Sequence, residues 1–227
     1  MIKPGHVISR DALIEGTLEK HLAEAEAKGL FVRTSEAERK QSRARIMESF
    51  APDEDIWVFG YGSLMWNPAF NFDEQRTGTI FGRHRRFCLR TMMGRGDEDF
   101  PGLTLGLDRG GSCSGIAFRI DRSHAVHELD LIWQRELITD VYRPVITPVQ
   151  TPDGTVRATT FAINRNHHRY AGDLDMQAEA EIIARAVGWL GTCREYLYNT
   201  VDMLERQNIP DQTLHRLCKM VRKITGE

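Results

Sequence analysis

At 227 residues, 41% hydrophobic and 27% charged, the chain has ordinary globular composition and is long enough to bury one sizeable core. Its 30 basic and 32 acidic residues nearly cancel, leaving no broad field to gather phosphate backbones or anionic lipid, so neither nucleic acid nor a membrane is an expected partner. No run approaches the ~18 apolar residues of a spanning helix, the opening Met1-Ile2-Lys3-Pro4-Gly5-His6 has no apolar signal core, and a cytoplasmic location is expected.

From Asp11 to Lys28 the apolar residues Ile14, Leu18, Leu22 and Ala25 recur every three or four positions, and Gly29 follows where helices commonly end. A second, polar helix opens at Ser35, with Glu38 in the capping-box position, and runs to about Phe50 before the acidic break Pro52-Asp53-Glu54-Asp55. Residues 1–54 therefore read as an appended helical arm, free either to pack on its own domain or to mediate self-association, with residues 55–227 forming the main domain. There Ile56-Trp57-Val58-Phe59 has a buried-strand pattern, and Thr79 to Leu89 is β-rich with an interruption at Gly82. A glycine-rich loop from Met93 to Gly102 comes next. Leu103 to Leu107 and Gly115 to Ile120 flank Asp108-Arg109-Gly110-Gly111-Ser112, a turn composition that predicts an antiparallel hairpin. Val126, Leu129, Trp133 and Leu137 mark one face of a helix from near Ser123 to about Leu137, with Glu136 at its end. Tyr142 to Gln150 and Thr155 to Asn164 read as strands around Pro152-Asp153-Gly154, and helices are expected over Met176 to Gly188, Thr192 to Gln207 and Pro210 to Ile224. Adjacent strands with trailing helices favour an α+β architecture.

Four cysteines, Cys88, Cys113, Cys193 and Cys218, lie at least 25 residues apart with no zinc-ligand spacing, so they are expected to be reduced and structural, with no metal site. His167-His168 sits in a polar Arg-Asn-His-His-Arg stretch that reads as a solvated loop. The Arg83 to Arg90 cluster reads as the exposed face of a strand, with steering of an anionic substrate as its functional alternative.

Chemistry concentrates first at Gly60-Tyr61-Gly62-Ser63-Leu64. Two glycines after an apolar strand allow a sharp turn whose backbone N–H groups gather in one concavity suited to an anion or carboxylate; a plain structural turn fits the same residues. The third glycine of a dinucleotide fingerprint and the Gly-Lys-Ser/Thr of a phosphate loop are both missing, so phosphate-bearing cofactors are disfavoured. Ser63 lacks a Gly-x-Ser-x-Gly elbow and an identifiable histidine base, which disfavours it as a nucleophile.

The hexapeptide Phe59-Gly60-Tyr61-Gly62-Ser63-Leu64, with Trp57 two residues before it, resembles the signature that opens the ChaC-like, glutathione-specific gamma-glutamylcyclotransferases. The resemblance continues through His84-Arg85-Arg86-Phe87, Pro101-Gly102, Gly115-Ile116-Ala117-Phe118, Arg135-Glu136, Gly191 and Glu195-Tyr196-Leu197, leaving the arm outside it. After Arg135-Glu136 the chain departs from the Gly-Gly-Tyr of many relatives. The resemblance implies a small mixed β-barrel or strongly curved sheet flanked by helices, no cofactor, and cleavage of glutathione to 5-oxoproline and cysteinylglycine. It assigns binding of the gamma-glutamyl group to Tyr61, Gly62, Ser63 and Leu64, acid/base work to Glu136, and a substrate contact to Tyr196. Other gamma-glutamyl peptides or amines, or binding without turnover, are the alternatives. Burial of Glu136 against neighbours such as Trp133 would raise its pKa toward neutrality.

Overall fold

The computed structural model describes residues 7–227. The chain forms two compact units, one containing Ile8–Arg85 and Leu107–Asn164, the other Arg86–Gly106 and Arg165–Glu227.

The first unit begins with three helices, α1 (Arg10–Ile14), α2 (Thr17–Ala27) and α3 (Glu36–Glu48). The single helix expected from Asp11 to Lys28 is therefore divided, because Gly16 adopts the left-handed φ of 72° between α1 and α2. That break resets the helical phase: Ile14, expected on the apolar side, is 56% exposed, while Leu13, Leu18, Leu22 and Ala25 are buried. The predicted start of α3 is present in full, Ser35 Oγ accepting from the Glu38 N–H at 3.2 Å and the Glu38 carboxylate accepting from the Ser35 N–H at 2.8 Å.

A closed, mixed five-stranded barrel follows, built from β1 (Ile56–Gly60), β2 (Glu74–Thr91), β3 (Gly102–Ile120), β4 (Tyr142–Thr151) and β5 (Gly154–Ile163) in the order β1-β3-β2-β4-β5. Antiparallel β1–β3 pairing runs from Ile56↔Ile120 to Gly60↔Ile116, and parallel β1–β5 pairing at Trp57↔Ala158 and Val58↔Thr159 closes the ring. Asp108 to Ser112 does not form the expected hairpin; β3 passes straight through it. The segments on either side have different partners, Ile116–Ile120 pairing with β1 and Leu107 with Ala162 of β5, so Gly110 (φ 93°) and Gly111 (φ 68°) bend the strand instead of reversing it. Ile56, Val58, Phe59, Ile80, Ile116, Phe118 and Phe161 are all buried, so both faces of the strands are covered. A short α4 (Ser63–Trp66) follows β1, and α5 (Ala125–Glu136) follows β3. Trp133 of α5 meets the Phe161 ring edge-on at 5.1 Å, and its Nε1 donates to Ser42 Oγ of α3 at 3.1 Å. The buried face of α5 is Ala125, Leu129, Ile132 and Trp133; Val126, expected on that face, is 53% exposed.

The second unit contains the ends of β2 and β3, then α6 (Met176–Arg185), the short strands β6 (Val187–Gly188) and β7 (Gly191–Thr192), α7 (Cys193–Arg206) and α8 (Gln212–Thr225). The helix expected to reach Gly188 stops earlier because Val187 to Thr192 forms a two-stranded ribbon. Glycines there let backbone lie on backbone: a Cβ at Gly188 would stand 2.3 Å from the Gly94 carbonyl oxygen, and one at Gly96 2.1 Å from the Gly102 nitrogen. Among the described residues no helix is long and apolar enough to cross a membrane.

Candidate active site

The turn after β1 is fixed from below by contacts within the first unit. Thr160 Oγ1 donates to the Phe59 carbonyl at 2.9 Å, anchoring the strand end. Gly115 lies so close that a Cβ there would sit 2.3 Å from the Gly60 oxygen and 2.8 Å from the Phe59 ring. Tyr61 is buried, and its hydroxyl donates to the Phe161 carbonyl at 2.8 Å, so the phenol is spent on the barrel wall. Leu64 and Met65 are buried beneath the turn, whereas Ser63 is half-buried.

Arg85 carries the orientation of this turn. Its Nη1 donates to the Tyr61 carbonyl at 2.8 Å and its Nη2 to the Ser114 carbonyl. A trans peptide directs its C=O and N–H oppositely, so holding the Tyr61 carbonyl toward Arg85 turns the Gly62 N–H away from it. The amide hydrogens of Gly62 and Ser63 have no acceptor among the described residues. Adjacent uncommitted donors at a glycine turn are the arrangement that holds a carboxylate or an oxyanion. Arg85 itself is only 7% exposed, which corrects the reading of its cluster as a solvated strand face. A period of two holds only across Arg85, Arg86 and Phe87, where the two outer residues are buried and Arg86 is half-buried; Cys88 and Leu89 are both buried, so the pattern gives no clear sequence signal for Arg85.

Glu136 is the last residue of α5, and its side chain is 13% exposed. Burial pushes its carboxyl above the ordinary carboxylate range, and the Arg135 guanidinium, with Nε 3.2 Å from Glu136 Oε1, opposes the shift. The neighbourhood is apolar, with Ile132, Trp133 and Leu137 all buried. Arg135 also donates from Nη1 to the carbonyl of Asn67, the residue that caps the C-terminal end of α4. One guanidinium therefore touches both the carboxylate and the segment that continues the glycine turn. In the sequence Arg135 carries the family likeness beside Glu136 but no role of its own, since no spacing rule marks a partner nearly seventy residues away.

The arm secures α5 from two sides. Arg10 of α1 holds the buried Glu128 with two hydrogen bonds, of 2.5 and 2.8 Å, and the same carboxylate accepts from the Asn71 N–H at 2.8 Å. Arg43 of α3 pairs with Asp130 at 2.5 Å, and the Thr34 N–H donates to the Ile138 carbonyl at 3.0 Å, two residues beyond Glu136.

Tyr61 through Leu64 and Glu136 thus stand in one compact unit. Tyr196 belongs to the other, buried in α7 with its ring 5.9 Å from that of Phe87. The His167 and His168 rings lie with centroids 4.2 Å apart, tilted by 30°. All four cysteines are buried as free thiols; Cys193, pushed up to about 12 by burial, donates to the Leu103 carbonyl at 3.0 Å.

A family model described as ChaC-like protein matches residues 56–224. The glutathione-specific gamma-glutamylcyclotransferase of Escherichia coli (strain K12) is 40% identical over 193 residues, covering 84% of each chain. That match is longer than the stretch from Ile56 to the C terminus, so it reaches into the arm. Gamma-glutamylcyclotransferase 2-3 of Arabidopsis thaliana is 30% identical over 182 residues, covering 76% of this chain and 91% of that protein. The crystal structure of a yeast gamma-glutamyl cyclotransferase specific to glutathione superposes with a TM-score of 0.68 at 20% identity, over 74% of this chain and 96% of that one, and shows the same fold.

Proposed function

The chain belongs to the ChaC-like family, and from that premise we propose that it is a gamma-glutamylcyclotransferase that cleaves glutathione to 5-oxoproline and cysteinylglycine, with Glu136 as acid/base. The observation that carries this reading is a buried, raised-pKa carboxylate linked through one guanidinium to a turn bearing two uncommitted amide donors. The substrate's α-amine attacks its own γ-carbonyl, a C–N bond forms to close the five-membered ring, and the γ-amide C–N bond breaks. Because nucleophile and electrophile are tethered, the protein's task is to hold the glutamyl chain bent, where effective molarities of ~10⁵ M or more become accessible.

Gly62 and Ser63 supply backbone donors for the α-carboxylate or for the oxyanion forming on the γ-carbonyl, with Tyr61 and Leu64 anchoring the turn. Glu136 takes a proton from the ammonium to free the attacking amine and returns it to the departing amide nitrogen; the ring nitrogen then gives up its second proton, which ends on the ammonium of the released cysteinylglycine, so the count balances without water as a reactant. A carboxyl whose pKa lies above the usual range is suited to both transfers near neutrality. Tyr196 is assigned its substrate contact by family likeness alone. We assign the arm a bracing role, since its apolar residues and Arg10, Arg43 and Thr34 are engaged within the first unit; self-association through it is the alternative.

The test is incubation of purified protein with glutathione, quantifying 5-oxoproline and cysteinylglycine for wild type and Glu136→Gln. Both products from wild type and neither from a folded variant support the reading. Failure on glutathione with turnover of other gamma-glutamyl compounds would move the substrate, and binding without any product would leave a binding protein.

A further inference from the structure

We infer that Arg135 is a positioning residue that fixes the Glu136 carboxylate and the substrate turn to each other, so that the base and the donors are set as one assembly. This rests on the proposed roles of Glu136 and the turn.

The geometry is specific to arginine. Nε lies 3.2 Å from Glu136 Oε1 while Nη1 donates to the Asn67 carbonyl, so two edges of one rigid plane serve two chain segments. Asn67 caps α4 four residues after Ser63, and its own N–H donates to the Ser63 carbonyl at 2.8 Å. A displacement of the guanidinium is thereby passed along a single turn of chain to Ser63. The Arg135 side chain is 6% exposed, so its contacts are shielded from competing water.

Arg135 is also the charged group that acts on Glu136. Its positive charge opposes the burial that raises the carboxyl's pKa. The cations that neighbouring helices bring to α5 are committed further back along it, Arg10 of α1 to Glu128 and Arg43 of α3 to Asp130. Beyond the helix end, Asp140 engages the Asn164 side-chain amide through its backbone carbonyl at 3.1 Å.

The consequences separate into two readouts. Removing the charge leaves burial unopposed, so Glu136 stays protonated to higher pH, and the acid limb of the kcat/KM profile moves upward. Removing the fork but keeping the charge loosens Asn67 and the turn, which raises KM while leaving the limb near its original place.

The experiment is steady-state cyclisation of glutathione across the pH range for wild type, Arg135→Gln, Arg135→Lys and Glu136→Gln, each verified as folded by circular dichroism. Arg135→Gln is expected to shift the acid limb up by ~1 unit or more and to raise KM by ~10-fold. Arg135→Lys is expected to raise KM with little movement of the limb, since an ammonium is a point charge that cannot span both partners. Should the glutamine variant not fold, the lysine variant decides the matter through KM. A wild-type KM in Arg135→Lys, or a uniform fall in kcat with neither limb nor KM displaced, would overturn the inference and leave Arg135 a packing residue. Full turnover by Glu136→Gln would instead overturn the acid/base role of Glu136 on which the inference rests, whatever Arg135 does.

Discussion

Glu179 offers a stability test independent of catalysis. It lies in the first turn of α6 with its side chain 10% exposed, and Arg86 Nη2 stands 3.8 Å from its Oε1. Burial is the main reason its carboxyl is pushed up to about 7; Arg86 opposes the shift and Asp175, the α6 N-cap, adds to it. Arg86 compensates poorly because it is shared, with Nη1 2.5 Å from Asp173. Between about pH 4.5 and 7 the folded chain holds a proton that the unfolded chain has released, so stability is full below that window and falls as pH rises through it. A rise from 4.5 to about 7 corresponds to about 3 kcal/mol at 1.36 kcal/mol per unit, and side-chain relaxation toward solvent reduces this to ~1–3 kcal/mol. Glu179→Gln mimics the neutral acid at every pH. Thermal unfolding should therefore give matching Tm values for wild type and variant near pH 4, below the window, and a variant melting ~3–10 °C higher near pH 8.5. A Tm offset that is the same at both pH values, or a variant less stable at the higher one, would refute the argument that a buried charge is being avoided.

Gly115→Ala is expected to lower the urea midpoint, at a cost of ~1–3 kcal/mol, because the new methyl would meet the Gly60 oxygen and the Phe59 ring. It should also reduce kcat/KM by ~10-fold, through the displaced turn; unchanged turnover would separate Gly60 from the site. Arg10→Met leaves the buried Glu128 with the Asn71 N–H but without its guanidinium, and chemical denaturation should show a loss of ~2–4 kcal/mol. A loss below ~0.5 kcal/mol would mean that the arm does not brace α5.

The parts of this molecule that were legible in sequence are those governed by local rules. The capping box at Ser35 and Glu38, the apolar run Ile56 to Phe59 and the hairpin of β4 and β5 each follow from a few adjacent residues. Errors arose where a tertiary partner decided the outcome. Gly16 and the Gly110-Gly111 pair look alike in composition, yet one separates two helices and the other bends a continuous strand, because Ile116–Ile120 has β1 to pair with. The face of α5 was misphased at Val126 because Ala125, a small residue with weak hydrophobic signal, is the position that is packed. At the site, Gly60 to Leu64 and Glu136 stood out through family likeness and residue type. Arg85 and Arg135 share that likeness, but their positioning roles did not show, because the main-chain carbonyls to which each guanidinium donates carry no mark in the sequence.

The peptide plane between Tyr61 and Gly62 has a consequence for mutational studies of this turn. In the proposed reaction its donors are main-chain hydrogens, which no exchange other than to proline deletes, so an alanine scan across Tyr61 to Leu64 would register strain and lost packing instead of lost recognition. The sensitivity expected of a binding residue is transferred to Arg85, Gly115 and Thr160, which sit behind the turn and aim it. A backbone ester at Gly62, made by semisynthesis, would remove the donor while sparing every side chain, and so measure the recognition itself.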